Sequence, residues 1–458
     1  MKTKNWKLKL VFLILTLPVI LGAMKGFYDW RKGAAGKPAN IIVNAGFPQG
    51  KINSTLWQNF CQGGEEPKDM IGPAINQIRA LQPKLIRIDH IFDYFNVVKP
   101  DNTFDFSQLD QIVNSILATG AKPMLSLSYI PTAWAIDGQI TSPPQDWFLW
   151  EKLITATIER YSGKNNKNIY NVYYEVYNEP DLFGGWHYSK EPNYLTLYLH
   201  SARGAQKAQN TNPFKIGGPA TTGFYPNWIK TLINFCSENN LPLDFVSWHR
   251  YSANLNDYNQ DFIQLTTILT GYPKYQNIER FITEFGPSSK KSSWYENRVG
   301  AAHAIAVSNH LLDLVHRVFA FEIKDGPNTT LEHQWGLLTH ENQGLKPKPR
   351  YLAYQFLNKL TGQRLPLEGN GSWVSGVAAK NGANTIILLV NFDPRQKHTE
   401  LVPVRITNLT PGNYRVKLDY LFGKDSQLNK RVNESGFFHR VYLEANEAVI
   451  LNIKPFNH

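Results

Sequence analysis

From Ile41 onward, short apolar runs alternate with amphipathic stretches at a steady pace. This repetition constrains the fold more than any other feature. A strand that feeds a helix and then another strand builds a parallel sheet with helices over it. Strands are predicted over residues 41–46, 85–89, 122–127, 169–177, 214–217, 245–249, 280–284 and 315–321. Helices are predicted over 109–118, 146–161, 194–208, 228–238, 258–269, 295–313 and 351–360. Eight strand–helix pairs across roughly 320 residues suit an α/β fold, a (β/α)₈ TIM barrel with enlarged loops.

After about residue 362 the helical period stops. Strand-like runs at 372–379, 385–391, 401–406, 414–420 and 448–453 are separated by Asn-Gly, Asp-Pro and Pro-Gly turns, the pattern of a C-terminal β-sandwich domain. The division is therefore 38–361 for the barrel and 362–458 for the sandwich. Residues 38–43 suit either the first barrel strand or the later sheet.

Lys2, Lys4, Lys7 and Lys9 precede an apolar run over residues 10–21, the charged-then-apolar layout of an export signal. Residues 1–24 are thus a signal peptide or an N-terminal membrane anchor. Ala23 suits the last signal position, but Leu21 two residues earlier is larger than a peptidase prefers. An extracytoplasmic protein, secreted or attached at the cell surface through this segment, is expected.

The net charge is +11, yet the lysines outside the N-terminus are scattered rather than striped, so nucleic acid is not an expected partner. Only Cys61 and Cys236 are present, so no disulfide framework and no thiolate metal site is expected. His303, His310 and His316 are spaced seven and six apart, which is not a ligand pair. No metal or organic cofactor is implied. Aromatic residues reach 13%, with 12 Trp and 22 Tyr. A cleft that stacks sugar faces on aromatic rings explains that excess, and so does core packing.

Two elements carry the chemistry. Tyr173-Tyr174-Glu175-Val176-Tyr177-Asn178-Glu179-Pro180 reads as a buried strand ending in a polar pair, and Phe281-Ile282-Thr283-Glu284-Phe285-Gly286-Pro287 is a second. Glu179 and Glu284 lie 105 residues apart, or three strand–helix units, which places them on barrel strands 4 and 7. The C-terminal strand ends form the catalytic mouth of such a barrel, and two carboxylates there are what glycosidic bond cleavage requires. Glu179 is the acid/base candidate and Glu284 the nucleophile candidate. Asn178 is placed to bind a sugar hydroxyl. Tyr251 supplies a hydrogen bond to Glu284, and His249 binds substrate or orients a neighbour. Arg87, charged within an apolar strand, needs a buried acceptor, with Glu284 the obvious one. His90 and Asp93 project toward the cleft. Tyr129 and Trp134 form a subsite wall, Trp186 a cover and Trp335 a floor.

These residues resemble the retaining glycoside hydrolases with glutamates on strands 4 and 7, and within them family 39, which contains β-xylosidases and α-L-iduronidases. The resemblance rests on Arg87-Ile88-Asp89-His90 with Phe92-Asp93, on Tyr174 to Asp181, on Thr283-Glu284-Phe285-Gly286, and on Trp335-Gly336-Leu337-Leu338 with Lys346-Pro347-Lys348-Pro349. It spans nearly everything after residue 40. Asp89 departs from it, standing where a small residue is expected, and so does the loop Asp181 to Trp186. The resemblance implies a carbohydrate substrate and double displacement, with β-xylosidase-like or endo-β-glycosidase action. A non-catalytic carbohydrate-binding protein and a transglycosylase are the alternatives on the same barrel.

Overall fold

The computed structural model describes residues 36–328, 332–434 and 436–456. After β1 (Ile41–Asn44), eight parallel strands close a barrel: β2 (Asn59–Gln62), β3 (Leu85–Ile88), β4 (Lys122–Ser126), β5 (Val172–Glu175), β6 (Phe214–Thr221), β7 (Phe245–Tyr251), β8 (Glu279–Gly286) and β9 (Arg317–Phe321). Closure is the parallel pairing of β2 with β9, Asn59 opposite Phe319.

The helices over these strands begin where their caps dictate. Asp146, Asn193, Asn254 and Asn297 each accept a hydrogen bond from a first-turn backbone N–H, which satisfies donors that the helix itself cannot pair. Their apolar faces then close on the barrel. In the helix Ser107–Ala118, for example, Leu109, Ile112, Val113 and Ile116 are buried on one side.

The remaining strands are β10 (Gln363–Leu365), β11 (Leu367–Glu368), β12 (Val374–Asn381), β13 (Asn384–Asn391), β14 (Glu400–Thr407), β15 (Gly412–Tyr420), β16 (Ser426–Val432), β17 (Phe437–Leu443) and β18 (Ala448–Pro455). They form sheets ordered β11-β1-β14-β17 and β10-β12-β13-β18-β15-β16, which enclose a core of Val43, Leu389, Val404, Val416 and Leu451. The sandwich is fused to the barrel. Val377, Ile386 and Leu388 of the second sheet belong to the barrel's own apolar cluster, and His303 on the helix Arg298–Leu311 meets Phe392 edge-on at 5.5 Å.

Two expectations are corrected. The first predicted strand, residues 41–46, is not in the barrel: β1 runs parallel to β14 and antiparallel to β11. Its pattern explains the misplacement. Ile41 and Val43 are fully buried while Ile42 is 37% exposed, and burial of one face only belongs to a sandwich rather than to a parallel barrel covered on both faces. The true first barrel strand, β2, reads Asn-Phe-Cys-Gln, with its two apolar residues, both buried, flanked by polar ones. It is buried because its polar groups are paired, Asn59 Nδ2 donating to Thr55 O at 2.7 Å and Gln62 Nε2 to Glu322 at 3.0 Å. Second, membrane attachment is not supported. No helix among the described residues is long and apolar enough to cross a membrane, and the apolar run over residues 10–21 lies outside the described residues.

Candidate active site

Along each barrel strand, every second side chain points inward. On β3 that series is Leu85 then Arg87, and on β5 it is Tyr173 then Glu175. Arg87 and Glu175 are both essentially fully buried. Each nitrogen of the Arg87 guanidinium has an acceptor: Nε donates to Glu175 at 2.6 Å, Nη1 to Glu284 at 2.9 Å and Nη2 to Asn178 Oδ1 at 2.8 Å. A buried guanidinium is tolerated only when each of its faces is met in this way.

Glu284 reaches this group through an irregularity. Counted from inward-facing Phe281, strict alternation would send Thr283 inward and Glu284 outward. The register between β7 and β8 slips between Trp248 and His249, so that His249 pairs with Glu284. An extra residue in one strand re-aims a side chain, and here it brings Glu284 beside His249. Tyr251 OH donates to Glu284 Oε2 at 2.7 Å. Burial lifts the Glu284 carboxyl above its ordinary pKa, against the pull of His249 and Arg87; Glu179 lifts it further, and Tyr251 lowers it.

Glu179 follows β5 on a tight turn. Its φ is +45°, in a region that costs a non-glycine residue roughly 1–3 kcal/mol. The turn is pinned by Glu179 N donating to Ala220 O at 3.0 Å and by Phe183 N donating to Glu179 O at 2.8 Å. His249 Nδ1 lies 2.9 Å from Glu179 Oε1 and 3.4 Å from Glu284 Oε2. A nitrogen facing two carboxylates carries the proton. Burial lowers the His249 pKa, but Glu284 and Glu179 outweigh it and the net direction is up. One ligand atom from each of Glu179, His249 and Glu284 lies within 4.8 Å of the others, so the two carboxylates are close neighbours. Glu66, His340 and Glu341 form a second such group, in which Lys68 and Lys324 already pair with Glu341.

Above these groups opens a cavity of about 670 Å³. Of the residues proposed from sequence, Glu179, Glu284, His90, Tyr129, Asn178, Tyr251 and Trp335 line it. Arg87, Asp93 and His249 act from behind the wall. Asp93 binds His90 Nδ1 at 2.7 Å and the Tyr129 backbone N–H at 3.2 Å, and His90, itself at φ +53°, stacks on Tyr94. Asn178 Nδ2 donates to Tyr129 OH at 2.8 Å, which fixes its amide. Trp335 lies under Lys291 Nζ, 4.5 Å from the ring centre.

Trp134 and Trp186 are not part of the wall. Trp134 packs against Phe104 and donates to Asn102, while Trp186 packs against Tyr177 and donates to Thr141 O. Both rings are consumed in loop packing. Sequence reasoning missed Glu175, although a charge inside an apolar strand is the same signal that exposed Arg87. It also missed Glu65, whose loop follows the unpredicted strand β2, and Phe183, which meets Tyr129 edge-on.

The comparisons agree with this geometry. The family model for glycosyl hydrolases family 39 matches residues 74–420. A β-xylosidase of Caldicellulosiruptor saccharolyticus is 25% identical over 319 residues, covering 64% of this chain and 64% of that one. A β-xylosidase of Geobacillus stearothermophilus is 26% identical over 299 residues, 58% of each. The chain thus spans less than two thirds of the length of the curated relatives it matches. Among solved structures, a monomeric β-xylosidase from Caulobacter crescentus CB15 superposes with a TM-score of 0.77 at 20% identity, covering 92% of this chain and 100% of that one. The GH39 enzyme from Xanthomonas axonopodis pv. citri gives 0.76 at 20%, covering 92% and 98%. At such identities these two establish the fold.

Proposed function

This chain belongs to glycosyl hydrolase family 39, and from that premise we propose that it is a retaining glycoside hydrolase with Glu284 as nucleophile and Glu179 as acid/base. The observation that carries the proposal is the closeness of the two carboxylates, an oxygen of each lying within 4.8 Å of the other around His249 at the barrel mouth. Retaining enzymes hold their pair about 5–5.5 Å apart, whereas inverting enzymes leave a wider gap for water.

In the first step Glu284 attacks the anomeric carbon and Glu179 gives its proton to the departing oxygen. In the second, Glu179 takes a proton from water, the water attacks the same carbon, and Glu284 leaves. Arg87 and Tyr251 hold Glu284 ionised and aimed. His249 keeps Glu179 in place. Asn178, anchored by Arg87 and Tyr129, has a second amide N–H for a sugar hydroxyl. Because Glu179 carries its proton into the first step, it is ionised Glu284 that stabilises the positive charge developing on the sugar ring.

β-Xylosides are the first substrates to test, because the two curated relatives described above are named β-xylosidases. The test is release of 4-nitrophenol from aryl β-xyloside, β-glucoside, β-galactoside and α-L-iduronide, with polymeric xylan and β-glucan alongside. Release that E284A abolishes supports the reading. Silence across the panel, with a folded protein that binds sugars, favours a non-catalytic carbohydrate-binding protein.

A further inference from the structure

Four carboxylates line the mouth cavity: Glu65, Asp89, Glu179 and Glu284. Three have a basic partner. Lys291 Nζ lies 3.4 Å from Glu65, His249 Nδ1 2.9 Å from Glu179 and Arg87 Nη1 2.9 Å from Glu284. Asp89 has no such partner among the described residues. It is 8% exposed, and its Oδ1 is buried with no hydrogen bond. The charges of His90 and Arg87 favour the Asp89 anion without bonding it, since His90 Nδ1 is taken by Asp93 and the Arg87 nitrogens by Glu175, Glu284 and Asn178.

A buried carboxylate oxygen left unpaired is costly, and because Asp89 lines the cavity a ligand there can bring a donor to its carboxylate. Sugar hydroxyls are such donors. We infer that Asp89 is a specificity-determining residue: it accepts a hydrogen bond from a ring hydroxyl of a neutral sugar and disfavours a hexuronic acid in the same cavity. This rests on the glycosidase reading above and deepens it. A sugar carboxylate in this cavity would add a like charge beside Asp89 and Glu284. The chain's net charge of +11 does not offset this. Arg250, which also lines the cavity, is held by Asp261 at 2.7 and 2.5 Å.

The test compares the protein with D89N and D89A on 4-nitrophenyl β-D-xyloside, β-D-glucoside and β-D-glucuronide, which differ only in the group on C5. The intact protein should cleave a neutral sugar at least 100-fold better in kcat/KM than the glucuronide. D89A should lose roughly 10- to 100-fold on the neutral sugar, the range expected for a hydrogen bond to a charged group, and should narrow the neutral-to-acidic ratio at least tenfold. D89N, which keeps an acceptor oxygen, should retain more than D89A. Its melting temperature should match or exceed that of the parent, because no internal partner is lost. An unchanged ratio in both variants overturns the assignment, as does a D89N variant that melts lower and loses activity equally on all three sugars. An intact protein inactive on all three counts instead against the glycosidase reading with these sugars, which separates the two failures.

Discussion

Two layers of one barrel interior have opposite chemistry. Toward the N-terminal strand ends, Leu85, Met124, Tyr173, Phe245, Phe281 and Phe319 form an apolar plug, with Phe245 and Phe281 stacked at 5.1 Å. Two residues further along the same strands, Leu85 gives way to Arg87, Met124 to Ser126, Tyr173 to Glu175 and Phe245 to Ser247, with His249 beyond. The strand frame is the same in both layers, with a register slip on β8 between Phe281 and Glu284. In the plug, shape and volume decide the energy, so a lost ring costs the cavity it leaves. In the mouth, charge compensation decides it, so a lost partner strands another ion.

This contrast predicts how the layers separate under mutation. The largest effect belongs to the mouth: E284Q should lower kcat by about 10⁴-fold or more while near-UV circular dichroism keeps its native form. E179A should lower kcat by about 10²–10⁴-fold, more for a poor leaving group than for 4-nitrophenolate, which needs little protonation. Arg87 ties chemistry to stability. R87A leaves Glu175 and Glu284 buried without their cation and should cost about 3–5 kcal/mol in urea denaturation along with most of the activity. In the plug, F281A should cost a similar 3–5 kcal/mol, yet kcat per folded molecule should stay within about threefold of the parent. A plug variant that kills catalysis without unfolding would collapse the distinction.

His303 belongs to neither layer and serves as a control. Burial among Phe285, Tyr258 and Phe392 pushes its pKa down to about 3, whereas an unfolded histidine titrates near 6.5. The unfolded chain therefore binds the proton first. The contribution of neutral His303 is complete above about pH 6.5 and is lost as pH falls toward 3, by a few kcal/mol. H303Q should flatten the fall in melting temperature across that window and leave the shape of the activity profile unchanged.

The barrel was legible because seven of its strands are apolar runs bounded by turns. The eighth, β2, was not, because buried but hydrogen-bonded Asn59 and Gln62 flank Phe60 and Cys61 and leave no apolar run to read. In the sandwich, β17 escaped notice because outward-facing Phe438 and Tyr442 blur the alternation of Phe437, Val441 and Leu443, and β16 because Leu428 and Val432 are its two apolar residues. Arg87 was legible as a charge needing an acceptor, and Glu284 is one of the three groups it meets. Glu175 gave the same signal and was overshadowed by Glu179. Trp134 and Trp186 were chosen by residue type and position along the chain, and neither property tells a ring that faces a cavity from one locked under a loop.

The most direct measurement of the account is covalent trapping. The protein would be incubated with the 2-deoxy-2-fluoro, 2,4-dinitrophenyl form of whichever aryl glycoside it cleaves fastest, then mapped by peptide mass spectrometry. Attack by Glu284 predicts one fluorosugar per chain, on the peptide carrying Glu284, and none in E284Q. A label on Glu179 or Glu175, or turnover with inverted product and no label at all, would contradict it.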